Sequence, residues 1–353
     1  MKQKTFYYFG AAFFLVVLIS CMHESTLKTP DSISSNSASI NDDINGQLPS
    51  DKMIPESRNG TNKKDNIEER SGSLSAISLL PAYFSREKTD GEDEASAIFK
   101  AYRSRIDNIH YTDNEWVINL DGSPFYWLGG RLLPEDKKNQ KSKFRPYGFY
   151  KYPDELPPIN GKIEPEQLER IRRYSEAIKS HPRDNTFLET LYNGKTLDEI
   201  LKHVKYISFL GYKIEVHESL IPQYSAIERE ILSKAAVNSD VKKYLDSLGS
   251  VSAFNWRRIE DSISRSYHSF GIAVDLVPAN IKGKEIYWNW TRVFNPQWYS
   301  VPYSKRWMVP DEIVKIFEKY GFIWGGKWLF YDNMHFEYRP EILILSGKKI
   351  SRP

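Results

Sequence analysis

Two stretches, Ser266-Tyr267-His268-Ser269-Phe270-Gly271-Ile272-Ala273-Val274-Asp275 and Asp332-Asn333-Met334-His335-Phe336-Glu337, hold the residue types of a catalytic metal site. Zinc accepts imidazole nitrogen and carboxylate oxygen, and a catalytic site takes three protein ligands and leaves the fourth position to water. His268, Asp275 and His335 are the candidate ligands for Zn2+, and a further carboxylate, Asp332, stands just upstream of the second histidine. Gly271 to Val277 is small, apolar and partly β-branched, the composition of a buried strand. Side chains alternate along a strand, so Gly271, Ala273 and Asp275 share one face, where the two small residues leave room for a metal and a ligand above it. An ion there also gives Asp275 the partner a buried carboxylate needs. His268 falls on the loop before this strand, with Gly271 turning the backbone into it. His335 falls in a second short strand, able to pair beside the first, with Asp332 at the turn leading in.

A lone histidine near a strand is more often a hydrogen-bonded structural residue than a ligand; the specificity lies in the combination. That combination resembles the zinc D-alanyl-D-alanine carboxypeptidases and L-alanyl-D-glutamate endopeptidases, which cleave the peptide stems of bacterial cell walls. Their pattern, SxHxxGxAxD followed by (D/E)xxH, matches Ser266 to Asp275 and Asp332 to His335. Phe254-Asn255-Trp256-Arg257 resembles the segment that carries an arginine ahead of the first histidine, and Gly321 to Trp328 resembles the glycine and tryptophan stretch before the last ligand. The resemblance spans roughly Phe254 to Tyr338. It implies Zn2+ held by His268, Asp275 and His335, Asp332 as general base, and Arg257 as the contact to substrate or transition-state charge. Many members have glutamate where this chain has Asp332, a shorter arm. Ser266 is expected to offer a hydroxyl to the peptide, and Arg258 competes with Arg257 for its role. A carboxypeptidase grips a terminal carboxylate and an endopeptidase keeps an open cleft; Arg257 fits both.

Two other readings stay open, a non-catalytic wall-binding lipoprotein that retains a zinc site and a wall-tethering lipoprotein in which zinc holds the fold. Asp332 argues against pure binding, which has no use for a base there.

The elements that must position these residues read as an α+β fold: a small central antiparallel sheet carrying the zinc ligands, flanked by helices, after a disordered N-terminal tether. Lys2 and Lys4 precede an apolar run from Phe6 to Ile19, of signal-peptide length and too short to span a bilayer. The run ends in Leu18-Ile19-Ser20-Cys21, which resembles the lipobox of bacterial lipoproteins, so Cys21 is the expected lipidation site and the membrane anchor. An uncleaved anchor helix is the alternative; both place the domain outside the cytoplasm, in the cell envelope. Cys21 is the only cysteine, which excludes disulfides and cysteine-ligated zinc. The expected organisation is a signal peptide over 1–20, a flexible tether over 21–75, too polar to offset its ordering entropy, and a zinc peptidase domain over 76–353. The partners expected are peptidoglycan peptides, for a chain acting as a monomer. A net charge of +3 argues against nucleic acid.

Helices are predicted over Glu94–Arg105, Pro165–Lys179, Pro222–Leu245 and Pro310–Tyr320, with a capping box Thr196-Leu197-Asp198-Glu199 opening another. Trp116–Leu120 and Phe125–Leu128 flank a turn and predict a hairpin. Tyr212–Val216 alternates like a half-buried strand, which with the helix after it fits the strand and helix that precede the first ligand in the resembled family. Glu135–Pro158 reads as a long loop bordering the cleft. Ile286 to Tyr303 reads as an aromatic loop, either substrate wall or hydrophobic lid. His217 is a weak competing ligand; His110, His181 and His203 have no carboxylate at telling spacing.

Overall fold

The computed structural model describes residues 91–159, 164–259 and 264–353; the expected signal peptide, Cys21 and the tether lie outside them. Helix α1 (Glu92–Ala101) places three acidic residues in its first turn, where the helix dipole favours them. It stops short of the predicted Arg105 because Tyr102 leaves helical geometry (φ −117°, ψ 33°) as its ring turns into the core. Strands β1 (Ile106–Thr112), β2 (Glu115–Leu120), β3 (Ser123–Trp127) and β4 (Leu132–Pro134) form an antiparallel meander in that order. The predicted hairpin is β2–β3, closed by Asp121 and Gly122, both at positive φ (49° and 75°), the conformation that matches strand twist in two-residue turns. Strand β1 escaped the sequence reading because it buries little beyond Ile106 and so lacks alternation.

The predicted loop after β4 opens instead as a 3-10 helix over Glu135–Lys143, then runs irregularly while burying Tyr147, Phe149 and Tyr152. Helices α2 (Pro165–Ser180), α3 (Thr186–Leu191) and α4 (Leu197–His203) follow. The capping box forms as the sequence specifies, Thr196 Oγ1 accepting from Glu199 N and the Glu199 carboxylate from Thr196 N. Strands β5 (Val204–Phe209) and β6 (Tyr212–His217) make a two-stranded sheet. The single helix predicted over 222–245 is two, α5 (Ile221–Ala235) and α6 (Ser239–Asp246), because Asn238 caps the second by accepting from Asp240 N and Val241 N.

The remaining elements are β7 (Leu248–Ser252), a 3-10 turn over Tyr267–Phe270, β8 (Ala273–Pro278), α7 (Trp288–Thr291), α8 (Asp311–Lys319), β9 (Phe322–Trp324), β10 (His335–Tyr338) and α9 (Pro340–Leu345). The four-stranded sheet has the order β7-β8-β10-β9 with antiparallel neighbours, so the fold is α+β. Val274, Leu276 and Phe336 point into a core shared with α8, where Phe336 stacks on Phe317 at 4.1 Å between ring centroids. That core is continuous from Ala95 of α1 to Leu343 of α9. No helix among the described residues is long and apolar enough to cross a membrane.

The predicted strand from Gly271 begins two residues later, at Ala273, because Gly271 adopts the left-handed region (φ 66°) and closes the preceding turn. A Cβ at Gly271 would lie 2.6 Å from the His217 backbone nitrogen. Gly271→Ala is therefore expected to lower unfolding free energy by at least about 2 kcal/mol, from left-handed strain and backbone collision together. Urea denaturation of the chelated protein measures this, and a loss near zero would contradict the close packing.

Candidate metal centre

The register of β8 against β10 pairs His335 directly with Asp275 and Glu337 with Ala273, on the sheet face opposite Phe336. His268 arrives from the 3-10 turn, which Ser266 caps by accepting from His268 N at 3.3 Å. The carbonyl of His268 accepts from Asn255 N and Gly271 N, which fixes its backbone from both sides.

Three donor atoms converge. His268 Nε2 lies 3.3 Å from Asp275 Oδ1, His335 Nδ1 lies 3.0 Å from the same oxygen, and the two nitrogens are 3.2 Å apart. A tetrahedral ion bound about 2.0–2.1 Å from each donor requires donor separations of about 3.3 Å, so the residues fit zinc. The outer nitrogens are engaged so as to free the inner ones. His268 Nδ1 bonds to the Ala253 carbonyl oxygen, and His335 Nε2 lies 3.1 Å from Glu337 Oε2. Such partners set which ring nitrogen is available to a metal. Both histidines are buried, while the Asp275 side chain keeps 19% of its surface open, so the site has one accessible side.

The three groups are coupled electrostatically. Burial tends to raise the Asp275 carboxyl, but the two imidazoles hold it well below the usual carboxylate range. For His335 burial opposes the charged form, and the carboxylates of Asp275 and Glu337 overcome it, lifting the ring to about 10. Glu337 in turn is kept ionised by His335 and by Arg339, whose Nη1 lies 3.4 Å from Glu337 Oε1. Arg339 also bonds Glu341 through Nε and donates to Tyr267 Oη at 2.8 Å, and Tyr102 Oη of the α1 end donates to Glu341 Oε2 at 2.6 Å. The sequence reading missed this buried line. The available signal was the alternation His335, Glu337, Arg339, which puts two polar residues on one strand face and a third just past its end.

Asp332 stands at the entry to β10, bridged to Tyr287, with its N–H on Gly325 O and its carbonyl accepting from His335 N. Gly325 is required, since a Cβ there would come within 2.6 Å of the Asp332 carbonyl. Asp332 Oδ1 is buried with no hydrogen-bond partner among the described residues. Burial raises this carboxyl to about 7, Asp275 adding to the effect and His335 opposing it. Arg257 is exposed; its N–H donates to Ser269 Oγ at 2.9 Å and its carbonyl accepts from Ser269 Oγ and Ser266 N, so its backbone is tied to the His268 turn while its charge reaches Asp332. Arg258 is also exposed and pairs by its backbone with Arg265.

His217 does not join the group. Its Nε2 bonds to the Tyr192 carbonyl and its Nδ1 to Ser219, and burial pushes the ring down to about 4. His203 pairs with Glu218. The aromatic loop packs its Trp288 and Trp298 on Phe330, beside Ile171, Leu329 and Tyr331, as a second small apolar cluster.

Among known proteins, no curated protein and no solved structure matches this chain. Residues 94–149 match a family model described as a domain of unknown function. Residues 260–338 match the family model described as D-alanyl-D-alanine carboxypeptidase. The matched stretch contains His268, Asp275, Asp332 and His335 and begins after Arg257; it supports a metallopeptidase, a hydrolase of peptide bonds, in this part of the chain.

Proposed function

We propose that the protein is a zinc-dependent peptidase that hydrolyses the peptide stems of peptidoglycan, with its peptidase domain over 76–353 exported to the cell envelope and held there by lipid at Cys21 through the tether of 21–75. The reading of the N-terminus rests on the lysines, the apolar run and the lipobox-like residues before Cys21. The observation that carries the activity is the convergence of His268, Asp275 and His335 beside a buried carboxylate with an unpartnered oxygen, inside the segment matched to the carboxypeptidase model.

Zinc, when bound by those three ligands, supplies a Lewis acid and lowers the pKa of water to about 7. The chain supplies the rest. Asp332, raised by burial, takes a proton from the attacking water and returns it to the leaving amine, work that suits a group titrating near neutral pH. Arg257, fixed by its backbone to the His268 turn, turns its exposed guanidinium toward the substrate or the charge that develops on its carbonyl. Ser266 Oγ accepts from His268 N and so caps the turn that carries this ligand, while its O–H is the one offered to the peptide.

Asp332→Asn is expected to keep folding and zinc stoichiometry while lowering muropeptide hydrolysis by about 10²–10⁴-fold. Unchanged turnover would remove Asp332 from the mechanism; absence of any chelator-sensitive cleavage by the native protein would favour a binding role. Metal uptake should also displace a proton. The ring of His335, raised from 6.5 to about 10, stabilises the metal-free fold fully below 6.5, and that contribution is lost as pH rises through about 10, so the ring is charged at neutral pH. Zinc binding at pH 7.5 should therefore release about one proton and tighten as pH rises, which calorimetry in buffers of different ionisation enthalpy measures.

A further inference from the structure

The segment between β8 and α7 comes back to the metal centre at one point. Trp288 N donates to Tyr331 O at 2.9 Å and Asn333 N donates to Ile286 O at 2.9 Å, so the two bonds flank Tyr287 and Asp332, which bridge as antiparallel partners. Partners flanked rather than joined by their bonds are the closer kind, with Cα atoms about 4.5 Å apart and side chains on one face. Tyr287 therefore stands beside the candidate base. The Trp290 ring meets that of Tyr287 edge to face at 5.6 Å, which puts it within about 15 Å of Asp332, the reach of about four extended residues.

This row is held from below. Trp288 packs on Phe330 and Trp298 at 4.9 and 5.0 Å between ring centroids, and Thr291 Oγ1 accepts from Tyr331 Oη at 2.7 Å while donating to Glu285 Oε2 at 2.8 Å. With those residues turned inward, Trp290, Val293 and Phe294 are left outward, 39%, 82% and 67% exposed. Large apolar side chains gathered in one exposed patch mark a binding surface, and this one is continuous with the candidate active site through Tyr287. Alanine and glutamate, the residues named in the resembled activities, carry no apolar face broad enough to cover an indole. A pyranose ring does: its C–H groups, polarised by the ring oxygens, lie against the negative face of an aromatic ring while its hydroxyls stay in water.

We propose that Tyr287 and Trp290 form a stacking platform for the sugar ring that bears the peptide stem, so that saccharide and peptide are read together. The platform rests on the peptidase reading and deepens it. Two substrates of one peptide sequence separate the two: a muropeptide with its disaccharide, and the same peptide carrying only the lactyl cap through which the sugar was attached.

The native protein should cleave the muropeptide about 10-fold better, by kcat/KM, than the capped peptide. Trp290→Ala should bring that ratio near one by a loss on the muropeptide alone, with Trp290→Phe recovering part of it. Chelated, metal-free native protein should shift its tryptophan emission on addition of muropeptide but not of capped peptide, and Trp290→Ala should lose the shift. Equal cleavage of both substrates by native protein overturns the platform, needs no variant to fold and leaves the peptidase reading standing. An equal loss on both in Trp290→Ala assigns the ring to structure, and a muropeptide preference that Trp290→Ala leaves unchanged puts the sugar elsewhere and turns the exposed face toward lipid or a second copy; each overturns the platform. Cleavage of neither substrate overturns the peptidase reading, and the platform with it.

Discussion

A single carboxylate oxygen shared between two imidazoles is the constraint on which the rest of this structure depends. Asp275 Oδ1 lies within 3.3 Å of His268 Nε2 and 3.0 Å of His335 Nδ1, and only a proton or a metal cation makes such crowding of lone pairs favourable. The strand register delivers it. His335 pairs opposite Asp275 on antiparallel neighbours, and a slip of one residue in β10 would send His335 to the apolar face, away from Asp275. Val274 and Phe336, fully buried on that other face, prevent the slip by their own packing. Core and site are thus two faces of the same pair of strands.

Orientation comes from a further layer of contacts. The Ala253 carbonyl and the Glu337 carboxylate hold the outer nitrogens of the two histidines, so each ring keeps its inner nitrogen toward Asp275. Glu337 is itself paired to Arg339, Arg339 to Glu341, and Glu341 to Tyr102 at the end of α1. Buried ion pairs of this kind contribute little net stability after desolvation, yet removing one member leaves an uncompensated charge. Their effect is to tie the strand that carries His335 to the N-terminal part of the described chain, which a match to the carboxypeptidase model alone would not include.

The chemistry is divided among backbones of different rigidity. The candidate ligands stand on strands and on a capped turn, Asp332 is pinned between Gly325 and His335, and Arg257 is anchored through its backbone to the His268 turn, its exposed guanidinium touching the Arg258 carbonyl at 3.4 Å. The groups on strands and on the capped turn are held in place, whereas the exposed arginine keeps conformational freedom.

The sequence by itself singled out His268, Asp275 and His335 as a group, because residue type limits what can bind zinc, and the alternation through Ala273 and Asp275 placed a small residue on the aspartate's face. It also determined the Asp121-Gly122 hairpin, the Thr196 capping box and the amphipathic face of α8, since each depends on neighbours close in the chain. Tertiary structure alone decided that Gly271 belongs to a turn closed against His217, and that Glu337, Arg339, Glu341 and Tyr102 form one line. Those outcomes join residues remote in sequence, and a hydrogen bond or ion pair between distant positions leaves no periodicity in either segment to reveal it.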